Sequence, residues 1–120
     1  MMETSEEALR REMKEELGVH IEVKRLLWVA ENFFEDDGYR FHEVCFYYLI
    51  DVPDDSDMIK KDDVFYGRED AYEYLGKEIK LIFNWHHLYE LDRIKFYPTF
   101  LVEALKDLPE HTEHIIHDTR

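Results

Sequence analysis

Leu9, Met13 and Leu17 recur every four residues through an otherwise charged segment, the spacing of an apolar rung along one side of an α-helix. Thr4, with Glu7 three positions on, makes a capping box, and Gly18 is a residue that tolerates the left-handed conformation at a helix end. A helix over about residues 5–17 is expected. Beyond Gly18 the helical period disappears. Residues 19–23 and 26–34 are rich in β-branched and aromatic side chains, 36–38 read Asp-Asp-Gly, and 40–52 resume the same pattern. That order predicts a hairpin of two long strands. The longest uninterrupted apolar run, residues 44–50, is far too short to cross a bilayer and reads as a buried strand.

Polar connectors follow at 53–57 and 60–63, and a mixed segment to Gly76 reads as a surface excursion. A further strand is expected at about 79–85 and a short helical turn near 88–91. Pro98 suits the first turn of a helix running to about Leu108, where Pro109 stops it. The tail is polar. No repeat or linker divides the chain, so residues 1–120 are expected to form a single domain of the α/β or α+β kind.

Charge narrows the function classes. Fifteen Lys and Arg stand against 29 Asp and Glu, a formal charge of −14, while 45% apolar residues suffice for one core in 120 residues. Such an excess repels phosphate backbones and anionic lipid heads, which argues against a nucleic acid polymer or a membrane as partner. A phosphate-bearing ligand would need a bridging cation. Cys45 is the only cysteine, so no intrachain disulfide can form, and the acidic N-terminus lacks the pattern of a secretion signal. A cytoplasmic protein is expected.

The first helix carries the candidate chemistry. Glu12, Glu15 and Glu16 are spaced i, i+3, i+4, so their carboxylates share one face next to the apolar rung. They repel one another, and they lie in the half of the helix where its dipole is already negative. Arg11 can reach Glu7 or Glu15 but cannot neutralise three carboxylates, whereas a hard divalent cation can. Set against this is an ordinary solvated helix surface, which the pairs Glu6/Arg10, Glu7/Arg11 and Arg11/Glu15 would suit.

Residue order adds to that choice. Glu3, seven residues, then Arg11-Glu12-Met13-Lys14-Glu15-Glu16-Leu17-Gly18-Val19 resembles the signature of the Nudix (MutT-like) hydrolases. That signature runs Gly, five residues, Glu, seven residues, Arg-Glu-apolar-any-Glu-Glu-any-Gly-apolar, and every fixed position from Glu3 to Val19 agrees. Downstream, Phe83-Asn84-Trp85 before Leu88-Tyr89-Glu90-Leu91 also resembles the family. The resemblance implies an α/β/α sandwich with a mixed sheet, and hydrolysis of a nucleoside diphosphate linked to another moiety, with Mg²⁺ or Mn²⁺ as cofactor. It implies that Glu12, Glu15 and Glu16 are metal-binding carboxylates, one of them also handling the proton of the attacking water. Arg11 would orient a glutamate, and Glu3 would be auxiliary. Many members add an acidic ligand before the later strand, and Glu78 is the best match, with Glu69 and Glu73 behind it.

The glycine that opens the signature would lie six positions before Glu3, ahead of Met1. A domain begun inside the motif is therefore expected, without that glycine loop and the strand or strands before it. Weaker metal affinity and lower stability than in a longer version would follow, and the open sheet edge would invite pairing, a homodimer included. Two rivals to the hydrolase are a noncatalytic Nudix-like binding or regulatory module and a small acidic interaction protein.

Other candidates have plainer explanations. His111, His114 and His117, with His86 and His87, suggest a transition-metal site, but three-residue spacing would spread the first three around a helix. Phe33, Phe34, Tyr39, Tyr47, Tyr66 and Tyr72 could include a base-stacking platform, though core packing accounts for most of them. Cys45 reads as a small buried residue and not a nucleophile. Glu31 and Glu43 lie in the hairpin, where strand parity alone leaves open which faces a cleft. The acidic loop at 51–57 lacks the order of a calcium loop and reads as solvated.

Overall fold

A computed structural model describes residues 2–54, 65–69 and 79–120. In chain order the elements are α1 (Ser5–Leu17), β1 (Glu22–Asp36), β2 (Tyr39–Asp51), β3 (Phe65–Glu69), β4 (Ile79–Phe83), a 3₁₀ turn (Leu88–Arg93), α2 (Leu101–Ala104) and β5 (Glu113–Asp118). Helices accompany a mixed sheet, the expected α/β class: β2, β1 and β5 lie side by side, and β3 pairs with β4. The chain gathers into two compact units, Met1–Val23 with Ile50–Trp85, and Lys24–Leu49 with His86–Arg120.

In the first unit, α1 is bounded as its sequence dictates. The Thr4 hydroxyl accepts from the Glu7 amide at 3.1 Å. At the other end Gly18 takes φ 68° and its amide donates to the Lys14 carbonyl at 2.9 Å. The turn aims Val19 and Ile21 back under the helix, where both are buried with Phe65, and Leu9, Met13 and Leu17 pack against this cluster. β3 and β4 run antiparallel with Phe65 opposite Phe83, whose rings stack at 5.6 Å. β3 falls in the segment read from sequence as a surface excursion. Its five residues include Gly67, Arg68 and Glu69, too few and too polar to display a β period, yet Phe65 is core.

In the second unit, Asp37 and Gly38 both adopt positive φ, 51° and 80°, which gives the two-residue hairpin turn that Asp-Gly favours. β1 is one uninterrupted strand where the sequence pattern shows two segments. The polar break at Lys24-Arg25 is absorbed because the Arg25 guanidinium donates to the Pro109 and Glu110 carbonyls. The Thr112 hydroxyl adds a bond to Leu26 O at 2.7 Å, and the Thr119 amide one to Phe33 O at 2.9 Å. These bonds bracket β5, which lies parallel to β1 with Trp28 opposite Glu113 and Phe33 opposite Asp118. The tail expected to be merely polar is therefore a strand, made by backbone pairing that its composition does not announce.

The core of this unit is Leu27, Trp28 and Leu101, with Tyr47 and Phe100 edge-on in succession: Trp28 to Tyr47 is 6.3 Å and Tyr47 to Phe100 is 6.0 Å. Each such buried side chain contributes roughly 1.5–3 kcal/mol. The expected helix at 98–108 contracts to Leu101–Ala104. The amides of Leu101 and Val102 bond three residues back, as do those of Lys106 and Asp107, so only one true α-turn lies between tighter ends.

Gly18→Ala places a Cβ in the left-handed region although no atom crowds the position. The expected cost is about 1 kcal/mol, read as a lower urea midpoint at unchanged m-value. An unshifted midpoint would mean that the Gly18 conformation does not limit how α1 ends.

Candidate active site

The apolar rung fixes which side of α1 meets solvent. With Leu9, Met13 and Leu17 held against Val19, Ile21 and Phe65, the side chains of Glu12 and Glu15 stand 55% and 60% exposed, and Glu16 is partly exposed. Arg11 organises the acids around it. Its Nε donates to Glu3 Oε1 at 3.0 Å and its Nη2 to the same oxygen at 2.8 Å, a two-pronged contact of the kind that holds a guanidinium in plane. Its Nη1 donates to Glu15 Oε2 at 3.0 Å, and Glu12 Oε1 lies 3.9 Å from Nη2. Of the pairs expected from spacing, Arg11–Glu15 and Glu6–Arg10 form, the latter at 2.6 Å.

The Arg11 hydrogen bond holds the Glu3 carboxyl below its ordinary value of 4.5. Reciprocally, the bond to Glu3 pushes the Arg11 pKa further up, so the guanidinium stays charged at any pH the fold survives. Among the described residues no group of three His, Cys, Asp or Glu is arranged to hold a metal ion. Glu12, Glu15 and Glu16 share a helix face but do not converge, because like charges on flexible side chains separate and Arg11 takes one oxygen of Glu15. Their donor chemistry still fits a hard divalent cation: three carboxylates on consecutive turns of one anchored helix, with Glu12 and Glu15 open to solvent.

Glu78 and Glu73 lie outside the described residues, as does Tyr72, while Glu69 ends β3. The histidines do not share a site. His114 and His117 are three residues apart on a strand and so point to opposite faces: His114 Nε2 lies 2.9 Å from Glu31 Oε2, and His117 Nε2 lies 3.4 Å from Thr99 Oγ1. His86 faces Glu90 at 3.9 Å, and the His87 ring stacks on Tyr89.

Parity in the hairpin separates the remaining candidates. Glu31 sits between His42 and His114 on one face, with Phe33 stacked on His42 at 4.1 Å. Glu43 belongs to the other face, where its Oε1 accepts from Asn32 Nδ2 at 3.0 Å. Tyr47 is partly buried against the core, and Tyr39 and Tyr66 are exposed. Burial pushes the Cys45 thiol up and the Tyr47 phenol up to about 12, so Cys45 is held as the unreactive thiol. Asn32, 8% exposed, is the one buried polar residue among those described. A lone Asn in an aromatic strand carries no sequence signal, although the Asp37-Gly38 turn sets the register that brings it to Glu43.

The family model described as NUDIX domain matches the chain over residues 1–100. Among curated proteins none matches.

Because Arg11 lowers the folded-state pKa of Glu3, the stabilisation from this pair is present above pH 4.5 and is lost as pH falls through the lowered value. Carboxyl ¹³C NMR should place the Glu3 midpoint below 4.5 in the native protein and return it towards 4.5 in Arg11→Ala. An unmoved midpoint in the variant would remove Arg11 as the cause.

Proposed function

This chain belongs to the Nudix family, and from that premise we propose that it is a Mg²⁺-dependent hydrolase of a nucleoside diphosphate linked to another moiety, with Mn²⁺ as the alternative cation. Nudix domains in general mark hydrolases of nucleoside diphosphate derivatives that use divalent metals. The observation that carries the finer reading is α1 itself: an anchored helix presenting Glu12, Glu15 and Glu16 in the family's order, with Arg11 tied to Glu3 and Glu15.

In this reading Glu12, Glu15 and Glu16 hold the cation, joined by Glu78 from the later segment. When bound, the cation supplies charge screening at the diphosphate and polarisation of the phosphoryl oxygens, which is how an acidic protein accepts an acidic substrate. One helix carboxylate takes the proton from the water that attacks phosphorus. Arg11 positions Glu15, and Glu3 positions Arg11. Leu9, Met13 and Leu17 keep the presenting face turned outward. We read residues 1–120 as one domain, acting in the cytoplasm on a small soluble substrate. No helix among the described residues is long and apolar enough to cross a membrane.

The alternative is a noncatalytic Nudix-like binding or regulatory module, which keeps the fold without turnover. Incubating the protein with a panel of nucleoside diphosphate derivatives separates the two. Hydrolysis is expected with Mg²⁺ and not with EDTA, and Glu15→Gln or Glu16→Gln should lower kcat by about 10²-fold or more at an unchanged circular dichroism spectrum. Mg²⁺ binding without turnover of any panel member would select the module. Turnover indifferent to both substitutions would remove α1 from the mechanism.

A further inference from the structure

An open cavity of about 670 Å³ lies in the second unit, within the size range of small-molecule sites. Phe34, Tyr97, Pro98 and His117 give it ring surfaces. Its charged lining is of one sign: Glu35, Asp36 and Glu43 are acidic, and no lysine or arginine lines it among the described residues. Glu35 is partly spoken for, because Arg40 Nε donates to its Oε1 at 3.1 Å. Glu43 differs from the other two acids. Glu43 is exposed, its Oε1 accepts from the amide of Asn32, which is nine-tenths buried and also lines the cavity, and the Phe34 and Phe41 rings stack at 5.1 Å further along the same two strands.

These features select a ligand by exclusion and by fit. A phosphate or carboxylate would meet three acids and no lining lysine or arginine, with only Glu35 facing basic groups, Arg40 and Arg120, so an anion is disfavoured. A purely apolar ligand would desolvate Glu43 and leave its remaining acceptor capacity unmet. A planar cation with paired N–H donors answers both demands: it offers two parallel bonds to a carboxylate whose orientation the Asn32 amide already restricts, and its flat body lies against aromatic faces. We infer that this cavity is a binding site for a small, flat organic cation, an aromatic body carrying an amidinium- or guanidinium-like head that donates to Glu43. None of the α1 carboxylates lines the cavity, and the inference does not rest on the function proposed for them.

Benzamidine is the probe, with neutral benzamide and anionic benzoate as matched shapes, titrated into the full chain by calorimetry and by ¹H–¹⁵N NMR. Saturable benzamidine binding that shifts the Asn32 side-chain amide signals is expected, with both comparators at least about tenfold weaker. Glu43→Gln should weaken benzamidine about tenfold, while Glu110→Gln, the same change of charge at an exposed position outside the cavity, should leave it unaltered. If Glu43→Gln fails to fold, Asp36→Asn at the exposed end of β1 replaces it, with a loss of about threefold expected. Equal binding of benzamidine and benzamide would overturn the proposal. So would equal effects of a cavity substitution and Glu110→Gln, which would reduce the binding to general attraction by an acidic protein.

Discussion

The packing of Leu9, Met13 and Leu17 onto Val19, Ile21 and Phe65 is the constraint on which the candidate site rests. It fixes the rotation of α1 about its own axis, and that rotation decides which charges meet water. A turn of the helix by one residue, about 100°, would bury a carboxylate where a leucine now sits, at a cost of several kcal/mol. Gly18 serves the same end: its left-handed conformation reverses the chain so that Val19 and Ile21 return beneath the helix they follow. The apolar contact is thus what makes the polar face dependable.

On that face the electrostatics are deliberately unbalanced. Arg11 is committed to Glu3 and Glu15, and it sits within 3.9 Å of Glu12, so a single guanidinium is shared among three acids. The helix dipole adds negative potential in the same half of α1, and the chain as a whole carries −14. A divalent cation placed among Glu12, Glu15 and Glu16 would relieve that repulsion. The carboxylates can turn toward such a cation at little conformational cost, because Glu12 and Glu15 are more than half exposed. Nudix domains in general use divalent metals, and the repulsion among these carboxylates is what the proposed cation would relieve.

How legible this was in the sequence varied with how local the determining physics is. The α1 boundaries are readable because the cap, the apolar period and the stop glycine all lie within fifteen residues and agree. The hairpin is readable for the same reason, since Asp37-Gly38 carries its own backbone geometry. β5 is not readable. Its residues Glu113–Asp118 are mostly polar, and what makes them a strand is pairing to β1 eighty-odd positions away, secured by Arg25, Thr112 and the Thr119 amide. The candidate site divides along the same line. Glu12, Glu15 and Glu16 become candidates by spacing within one helix, yet spacing could not show that Arg11 would turn to Glu3, eight residues back across the cap. The separation of Glu31 from Glu43, and the pairing of Asn32 with Glu43, needed the register of two strands.

Manganese substitution tests the central claim most directly, because Mn²⁺ broadens NMR signals steeply with distance and takes the same oxygen donors as Mg²⁺. In a ¹H–¹⁵N spectrum at substoichiometric Mn²⁺, the amides around Glu12, Glu15 and Glu16 are expected to vanish first, with recovery on adding excess Mg²⁺. Broadening spread evenly over the acidic surface, or centred on another stretch such as Asp51 and Asp54, would contradict a cation seat on the first helix.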